Sequence, residues 1–462
     1  MDNRMKNRVR ILQPLAAMIV AGAASISTTA FAACTAGAFD TAFGAASTNG
    51  YVQSAPVFVN GEDGGIEGVV ISSSDNGIVT NSLIGMDASS NAILGIAKFK
   101  RGGTLDTTFG GFGIASPGGL APSSNGTNSA LAQDSAGNVI EARADGAGIT
   151  VTRFDASGNI DLSFGTSGSS SVAIPNLYGF TDATTLADGS VLVTAAGMNP
   201  SATNSWQPLV VKFTSSGALD GTFGSGGVSY FYPASVTNPA SWGRGTGIAA
   251  LPTGQIVVTG RIQTGPGHRV AFVAQLLANG SLDATFGTGG FTLVDLGATS
   301  PFTQGRKIVV QDDGKLVVIA NSFDATGYNR MVLFRLLPGG APDAGFGSAG
   351  IATLATPFGV FGFHLSLQNN GKIVVGSTIQ NDAAGSSTTA AVVRFTSVGT
   401  LDTAFGVAGY ATVLPTGWSV SSGSEVIYLS GGKILFRLMA GQGALDTEFL
   451  VRLDSGSGAG CH

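Results

Sequence analysis

The sequence predicts an all-β protein, a seven-bladed β-propeller of four-stranded antiparallel blades. Three features indicate this fold. A motif of the form Leu-Asp-x-x-Phe-Gly returns seven times, two companion signatures accompany it, and the composition suits short strands and tight turns, with 70 glycines in 462 residues and only 11% charged residues. A fixed repeat period of this order is typical of propellers, solenoids and domain arrays.

The spacing of the motif defines the repeat. Successive motif aspartates are separated by 66, 55, 59, 63, 60 and 59 residues. They are Asp40, Asp106, Asp161, Asp220, Asp283, Asp343 and Asp402. Seven equivalent copies indicate a structural rather than a catalytic role. We therefore expect each aspartate to cap backbone amides in a turn, and each motif phenylalanine to seal the gap between neighbouring blades.

The two companion signatures supply the strands. One is a turn followed by a β-branched run, as in Asp313-Gly314 before Leu316 to Val318, which is a strong signal for a tight hairpin because such a turn needs positive φ. The other is an apolar strand that ends in a basic or amide residue and then Phe or Leu, as in Arg335-Leu336.

Each repeat therefore contains four strands. They are a short strand after the Phe-Gly pair, an apolar strand before the hairpin turn, its hairpin partner, and the strand that ends in the Arg-Phe type of pair. We take the short strand as the first of each blade, so that the chain enters the ring just before a first strand and leaves it after a fourth. Four antiparallel strands in about sixty residues, seven times over, predict a propeller.

The repeat resembles a known family. The run Gly280-Ser281-Leu282-Asp283-Ala284-Thr285-Phe286-Gly287 and the run Asp313 to Val318 are similar to the delta-60 repeat, a bacterial β-propeller repeat that reads close to G-S-L-D-x-x-F-G-x-x-G followed by D-G-K-I-V-V. Phe39 and Pro342 depart from that pattern, since both stand where Leu is usual. The resemblance spans nearly the whole of residues 33–462 and implies an exported propeller, without an established reaction or ligand.

Residues 1–32 have the pattern of a secretory signal. Basic residues lie between positions 4 and 10, an apolar stretch covers 11–26, and Ala30-Phe31-Ala32 provides a cleavage site. We expect residues 33–462 to form a single propeller domain that is secreted or periplasmic. No later segment has 18 uninterrupted apolar residues, so we expect no membrane span.

The charge balance argues against a nucleic-acid partner. Removal of residues 1–32 takes away four of 23 basic residues and one of 28 acidic ones, which leaves 19 and 27 and a net charge of −8. Binding to a polyanion needs a basic stripe, because phosphate contacts dominate that affinity, and the sequence has none. We expect a monomer.

Cys34 and Cys461 are the two cysteines of the chain and lie near its two ends. In an exported protein an even cysteine count favours a disulfide, and a pair at the two ends fits a closed ring. The alternative is a lipid anchor on Cys34, because Phe31-Ala32-Ala33-Cys34 loosely resembles a lipobox; Phe31 is a poor match, and Cys461 would then have no partner.

One face of the propeller is the expected binding face. The links made by the hairpin turns and by the Leu-Asp-x-x-Phe-Gly motif are uniform, whereas the links on the opposite face vary in length and carry aromatic residues. Variable loops on a rigid scaffold are where binding usually occurs. The candidate binding residues on this variable face are Trp206, Trp242, His268, Arg269 and Trp418. Aromatic residues recur at the positions of Trp242 and Trp418, for which plugging the end of a strand is the alternative role.

A polar column provides a second group of candidates. Counting seven residues back from each hairpin glycine gives Lys307, His364 and Glu425 in three consecutive repeats. The following residue is always apolar, so we expect the polar residues to lie at the mouth of a strand on the variable face. They form either a polar cluster there or three separate solvated strand ends.

Two classes of function are compatible with these residues. The first is a non-catalytic binding or scaffold module for an extracellular or envelope glycan, peptide or protein. The second is a hydrolase or lyase that acts on an extracellular polymer, with Lys307, His364 and Glu425 as acid and base groups. The sequence contains no metal-ligand spacing, no nucleophile elbow and no phosphate-binding loop, so we expect neither a metal nor a cofactor.

The disulfide is directly testable. We expect non-reducing peptide mapping of the exported protein to show one linked pair that contains Cys34 and Cys461. Because the loop that it closes is so long, its reduction should cost on the order of 4–5 kcal/mol, and less where the ring already holds the ends together. Two free thiols, or a lipid on Cys34, would contradict this pairing.

Overall fold

The computed structural model describes residues 36–44, 51–57, 68–73, 76–86, 92–116, 128–144, 148–201, 205–236, 242–297, 300–323, 327–414, 418, 420–442 and 445–456. Among these residues all regular secondary structure is β-strand, arranged as seven four-stranded antiparallel sheets. The first strands of neighbouring sheets contact one another around the ring. The protein is a seven-bladed β-propeller, as the repeat predicts.

The strands are numbered in chain order and the blades are numbered I to VII. The first strand belongs to blade VII and is β1 (Tyr51–Val57). Blades I and II contain β2 (Val69–Ile71), β3 (Ile78–Met86), β4 (Ala92–Phe99), β5 (Ile114–Ala115), and β6 (Asn128–Gln133), β7 (Val139–Ala144), β8 (Gly148–Phe154), β9 (Ser169–Ala173). Blades III and IV contain β10 (Tyr178–Thr185), β11 (Val191–Met198), β12 (Trp206–Phe213), β13 (Val228–Tyr230), and β14 (Gly243–Ala250), β15 (Ile256–Gly265), β16 (His268–Leu276), β17 (Phe291–Val294).

The remaining blades complete the ring. Blades V and VI contain β18 (Thr303–Val310), β19 (Leu316–Phe323), β20 (Asn329–Leu336), β21 (Ile351–Leu354), and β22 (Val360–Leu367), β23 (Ile373–Gln380), β24 (Thr388–Phe395), β25 (Tyr410–Val413). Blade VII combines β1 with β26 (Val420–Leu429), β27 (Lys433–Gln442) and β28 (Leu445–Asp454). In blades I to VI the chain runs outward from the axis, one strand after the next.

The expected position of the short strand was wrong. The strand after each Phe-Gly pair is the fourth, outermost strand of its own blade, because the Leu-Asp-x-x-Phe-Gly turn folds the chain back onto the preceding strand, as β13 folds onto β12. The chain consequently enters with the fourth strand of blade VII and leaves after the third strand of that blade. β1 pairs with β28, so the two ends of the chain close the ring within one sheet. Cys34 and Cys461 lie outside the described residues, as do residues 1–32.

The two faces carry the links that were predicted for them, although the short strand belongs to a different blade. The hairpin turns and the Leu-Asp-x-x-Phe-Gly turns still emerge together, and the links of variable length still emerge on the opposite side. On the variable face the start of β12 meets the residue before β14, where Trp206 and Trp242 form a bridge between blades III and IV.

The motif aspartate caps its own turn, as expected. In all seven copies the carboxylate Oδ1 accepts a hydrogen bond from the backbone N–H two residues later, at 3.0 to 3.3 Å. In six copies the other carboxylate oxygen contacts the basic or amide side chain at the end of the third strand; these copies are Asp40, Asp161, Asp220, Asp283, Asp343 and Asp402. In blade VI the Arg394 Nε donates to Asp402 at 2.7 Å, and Lys372 Nζ donates to the same oxygen at 2.8 Å.

The motif phenylalanine and glycine connect neighbouring blades. All seven phenylalanines are at most 2% exposed, and the guanidinium of Arg394 lies 4.5 Å from the ring centroid of Phe405. Each motif glycine donates its N–H to a carbonyl in the next blade, at 2.6 to 2.9 Å. At Gly287 this needs a positive φ of 54°, and an added Cβ would lie 2.2 Å from the carbonyl oxygen of Phe291. One six-residue motif therefore caps a turn, holds a cation and joins two blades.

Five of the inner strands contain a bulge. The register shifts between Tyr178 and Asp182 in β10, and similar shifts occur in β14, β18, β22 and β26. A bulge redirects the following side chain. In β18 the shift lies between Gly305 and Lys307, and a Cβ on Gly305 would lie 2.1 Å from the hydroxyl of Thr259 in the preceding blade.

Removal of a motif carboxylate should destabilise the ring. We expect Asp402→Ala to lower the free energy of unfolding by about 3 kcal/mol or more, because Arg394, with a side chain only 3% exposed, would keep a buried charge without its partner. Urea unfolding followed by tryptophan fluorescence measures the change. The control Asp312→Ala, in an exposed turn, should change stability by less than about 0.5 kcal/mol. Equal losses in the two variants would contradict the role given to the motif.

Candidate functional site

Two groups of polar side chains are candidates for a functional site. One surrounds the ring axis and contains the predicted polar column. The other lies on the variable face of blades III to V and contains most of the predicted aromatic and basic residues. We describe them as the axial cluster (Asp182, Lys307, His364 and Glu425) and the aromatic–arginine seam (Tyr178, Trp206, Trp242, Arg261, Arg269 and Phe302).

The axial cluster lines a cavity of ≈ 50 Å³ on the ring axis. The structure brings Lys307, His364 and Glu425 together, which was one of the two alternatives from the sequence, and it places them away from a strand mouth. They lie mid-strand inside the ring, because the bulges turn consecutive residues such as Phe363 and His364 towards the axis. A cavity of this volume has room for a few water molecules.

The polar groups of the axial cluster contact one another and the backbone. Lys307 Nζ lies 2.8 and 2.9 Å from the two carboxylate oxygens of Asp182, and Asp182 also accepts the backbone N–H of Ile248 at 3.0 Å. Glu425 accepts the N–H of Gly68 at 3.0 Å and lies 3.5 Å from the guanidinium of Arg437. The ion pair between Lys307 and Asp182 spans blades V and III across the axis.

His364 is held as a neutral imidazole. Its Nδ1 lies 3.0 Å from the carbonyl oxygen of Val426, which only accepts, so Nδ1 carries the proton and Nε2 is an acceptor. Burial and the nearby charge of Lys307 lower the pKa of His364 to about 3. The imidazole therefore stays uncharged at neutral pH and does not serve as a general acid there.

The aromatic–arginine seam begins with three rings. Tyr178 meets Trp206 edge to face at 5.5 Å between ring centroids and meets Trp242 at 5.9 Å. The Tyr178 side chain is 49% exposed, whereas the two tryptophans are half-buried. Each of the three residues starts or precedes a strand at the variable face, so the rings of blades III and IV form one surface.

Guanidinium groups continue the seam into blade V. The Cζ of Arg261 lies 4.3 Å from the centroid of Trp242 and 5.0 Å from that of Phe302. The Cζ of Arg269 lies 5.3 and 5.8 Å from the same two rings. Stacking of this kind stabilises a cation over an aromatic face. The two tryptophans and Arg269 were predicted as binding residues, and they lie together here.

A third arginine lies beneath the rings. Gln304 Oε1 accepts from the guanidinium groups of Arg244 at 2.9 Å and Arg261 at 3.0 Å. Arg244 and Arg261 are only 7% and 9% exposed. Burial, then the charges of Arg244 and Arg269, lower the pKa of Arg261 to about 8, and the side chain is still a cation at neutral pH.

His268 and Trp418 occupy different surroundings. His268 is at the start of β16, where Nε2 lies 3.3 Å from the carboxylate of Asp295 and Nδ1 lies 2.8 Å from the hydroxyl of Thr264. Trp418 packs edge to face on Phe449 at 5.6 Å and joins the hydrophobic core of blade VII. The structure therefore places His268 at the rim near the seam, and it places Trp418 in a separate blade.

Sequence reasoning missed Arg261 and Gln304. For Arg261 a signal was present, because it stands seven residues after a hairpin glycine. The same position in the other repeats carries no basic residue and is occupied by Ile84, Ala144, Ala196, Asn321, Thr378 and Met439. The prediction used the residues seven positions before each glycine and not the residues seven positions after it, among which Arg261 lies.

Within the ranges that the structure covers, no helix is long and apolar enough to cross a membrane. In the same ranges no three His, Cys, Asp or Glu side chains converge as potential metal ligands.

Acidification should reveal the neutral state of His364. The pKa of about 3 in the folded protein lies below the ordinary value of 6.5, so between these pH values the unfolded chain binds a proton that the folded protein does not. The stability that His364 provides is complete above pH 6.5 and declines as the pH falls towards 3. We expect His364→Gln to reduce the loss of unfolding free energy between pH 7 and pH 4.5 by up to about 2 kcal/mol, measured by urea unfolding. Identical losses in both proteins would contradict a buried neutral imidazole.

Comparison with known families supports the repeat and leaves the function open. Residues 251–286, 311–346 and 368–405 match a family model described as a domain of unknown function (DUF5122) beta-propeller. The match indicates a propeller repeat family of unknown function, and it does not extend to the delta-60 name. No curated protein matches the sequence.

Several solved structures are distantly similar. A protein of unknown function from Dyadobacter fermentans DSM 18053 shares 11% identity over 71% of this chain and 95% of its own, with a TM-score of 0.43. A protein of unknown function from Bacteroides caccae shares 16% identity over 72% and 98%, with a TM-score of 0.36. The polysaccharide lyase Uly1 shares 11% identity over 87% and 93%, with a TM-score of 0.47. Likeness at this level carries no argument about ligand or reaction.

Proposed function

We propose that this chain is an exported, non-catalytic binding module that engages an extracellular or envelope glycan, peptide or protein through its variable face. The observation that supports the proposal is the aromatic–arginine seam. Tyr178, Trp206 and Trp242 present adjacent rings at one face, and Arg261 and Arg269 stack on the rings beside them. Aromatic and arginine side chains of this kind dominate the energetics of binding surfaces.

The axial cluster favours binding over hydrolysis or lyase chemistry. The groups that would serve as acid and base are already engaged, since Lys307 is ion-paired with Asp182 and Glu425 accepts the backbone N–H of Gly68. A cavity of ≈ 50 Å³ is also far smaller than the roughly 300–1,000 Å³ of typical ligand pockets. The described residues around the axis thus form a buried polar core of the ring.

The difference between the links on the two faces also supports the proposal. The uniform turns of the opposite face are occupied by the joints between blades, where each motif glycine donates to the next blade. The described links on the variable face do not carry this joint, which belongs to the Leu-Asp-x-x-Phe-Gly turns, so their sequences are free to differ between blades. Binding residues collect where the scaffold leaves the sequence free.

A ligand screen followed by substitution tests the face. The purified exported protein is applied to glycan and peptide arrays, and the affinity for each captured ligand is then measured by titration calorimetry. We expect the double variant Tyr178→Ala and Trp206→Ala to bind at least about tenfold more weakly, because truncation of aromatic hot spots costs more than about 1 kcal/mol each. Its melting temperature should fall by only a few degrees, since Tyr178 is 49% exposed and Trp206 is half-buried at the surface.

The control variant is Phe112→Ala. Phe112 is an aromatic residue that is 84% exposed, and it follows a Phe-Gly pair on the uniform face. It should leave the affinity unchanged. Loss of binding in Phe112→Ala, with full affinity in the double variant, would place the binding site on the opposite face.

A further inference from the structure

The arginines of the seam form a compact cationic cluster between blades IV and V. Arg261 and Arg269 both lie within 6 Å of the rings of Trp242 and Phe302, so the two guanidinium groups are neighbours. Arg244 joins them through Gln304, whose amide oxygen accepts from both Arg244 and Arg261. Three positive charges thus share one largely buried region.

No carboxylate of the described residues pairs with Arg261 or Arg269. The buried arginines of the other blades differ, because each of these arginines has a carboxylate within 4 Å. The pairs are Arg143 with Glu141, Arg335 with Asp343, Arg394 with Asp402, Arg437 with Glu448, and Arg452 with Asp40. Burial of a cation without a counter-charge is unfavourable. In this seam the stacked rings and the amide of Gln304 contact the guanidinium groups in place of a carboxylate, but they carry no negative charge.

The seam also contains buried donors without acceptors. Arg261 Nε, Arg269 Nε and Gln304 Nε2 are buried atoms, and none has a hydrogen-bond partner among the described residues. Gln304 and Arg261 are 4% and 9% exposed. All three atoms are hydrogen-bond donors, so the seam lacks hydrogen-bond acceptors. Such a set fits a ligand that brings a negative charge together with further oxygen acceptors.

We propose that the seam binds the carboxylate of an acidic glycan, a polymer that contains uronic acid residues. This proposal rests on the proposed function and names the ligand class for the same face. A guanidinium fork binds a carboxylate in two parallel hydrogen bonds, which suits Arg261 and Arg269. The hydroxyl and ring oxygens of a sugar supply further acceptors beside the cations, and the ring of Tyr178, which is 49% exposed, stacks against the apolar face of a sugar.

A glycan fits these contacts better than an acidic peptide does. The three rings form a continuous aromatic surface beside the cations, with centroid separations of 5.5 and 5.9 Å. A rigid sugar ring stacks on the exposed ring of Tyr178 at a small entropic cost, whereas an extended acidic peptide must order several flexible side chains. The mature chain is itself acidic overall, so the cationic seam would select its ligand locally and not by net charge.

The probe is a hexamer of galacturonic acid, titrated into the purified exported protein by calorimetry. We expect binding that weakens as the salt concentration rises, and binding at least tenfold weaker for the fully methyl-esterified hexamer, which keeps the rings and loses the charges. A glutamate hexamer and sodium sulfate alone serve as the peptide and simple-anion probes. Both should bind at least tenfold more weakly than the acidic sugar.

One pair of variants separates an arginine without a carboxylate partner from a structural one. Arg261→Met removes a cation of the seam and keeps most of its apolar length, and Arg335→Met makes the same change at an arginine that is paired with Asp343. We expect Arg261→Met to lose affinity for the acidic hexamer at least tenfold while its melting temperature, without ligand, stays equal or rises. Arg335→Met should bind normally if folded and should melt at a lower temperature. Arg269→Gln, at a half-buried position, provides a second test of affinity.

The outcomes are distinct. Equal affinity for the acid and its methyl ester overturns the carboxylate proposal and leaves the proposed binding face intact. Tighter binding of the glutamate hexamer overturns the choice of a glycan. Failure of the wild-type protein to bind any anionic probe overturns the proposal, and if the array screen then finds a neutral ligand that needs Tyr178 and Trp206, the proposed function still stands. Unchanged affinity in both Arg261→Met and Arg269→Gln also overturns it.

Discussion

The ring depends on the joint that the Leu-Asp-x-x-Phe-Gly motif makes between neighbouring blades. In blade VI, Asp402 fixes Arg394, Arg394 covers the buried ring of Phe405, and Gly406 donates its N–H to Ala36 of blade VII at 2.6 Å. A four-stranded sheet alone buries too little surface to be stable, and a propeller gains stability only when sheets pack on one another. Repetition of one joint seven times places all blades at equivalent angles and so closes the circle.

Closure then determines what happens at the axis. Inner strands of a closed ring converge, and the small residues and bulges in β14, β18 and β22 let them approach. The bulges turn Lys307 and His364 inwards, where the enclosed polar groups need partners. Lys307 finds Asp182, and His364 stays neutral on the carbonyl of Val426. The need to pair polar groups at a packed axis thus accounts for the polar column that the sequence shows.

The repeat made the fold predictable from the sequence. Because the units carry the same signals, the repeat said less about features that differ between blades. Periodic signals such as the motif aspartates and the hairpin glycines gave the number of blades, the strands and the two faces. The sheet to which the short strand belongs was missed, because a period is the same wherever a unit is taken to begin. Trp206 and Arg269 were identified as candidates from the variable links. Arg261 and Gln304 were missed, because their contact joins strands of different blades, and sequence spacing alone does not show which side chains meet across a blade boundary.

The seam and the joints use the same types of residue, stacked arginine and aromatic side chains, with different consequences. In the joint an arginine stacks on phenylalanine and its charge is neutralised by the motif aspartate, as Arg335 is by Asp343. In the seam Arg261 stacks on Trp242 in the same manner, yet no described carboxylate accompanies it. A stacked arginine with its carboxylate is complete and stabilises the fold, whereas one without it retains its charge and donors for another molecule. We propose that the difference between scaffold and binding site in this propeller is the presence or absence of one carboxylate beside a stacked guanidinium.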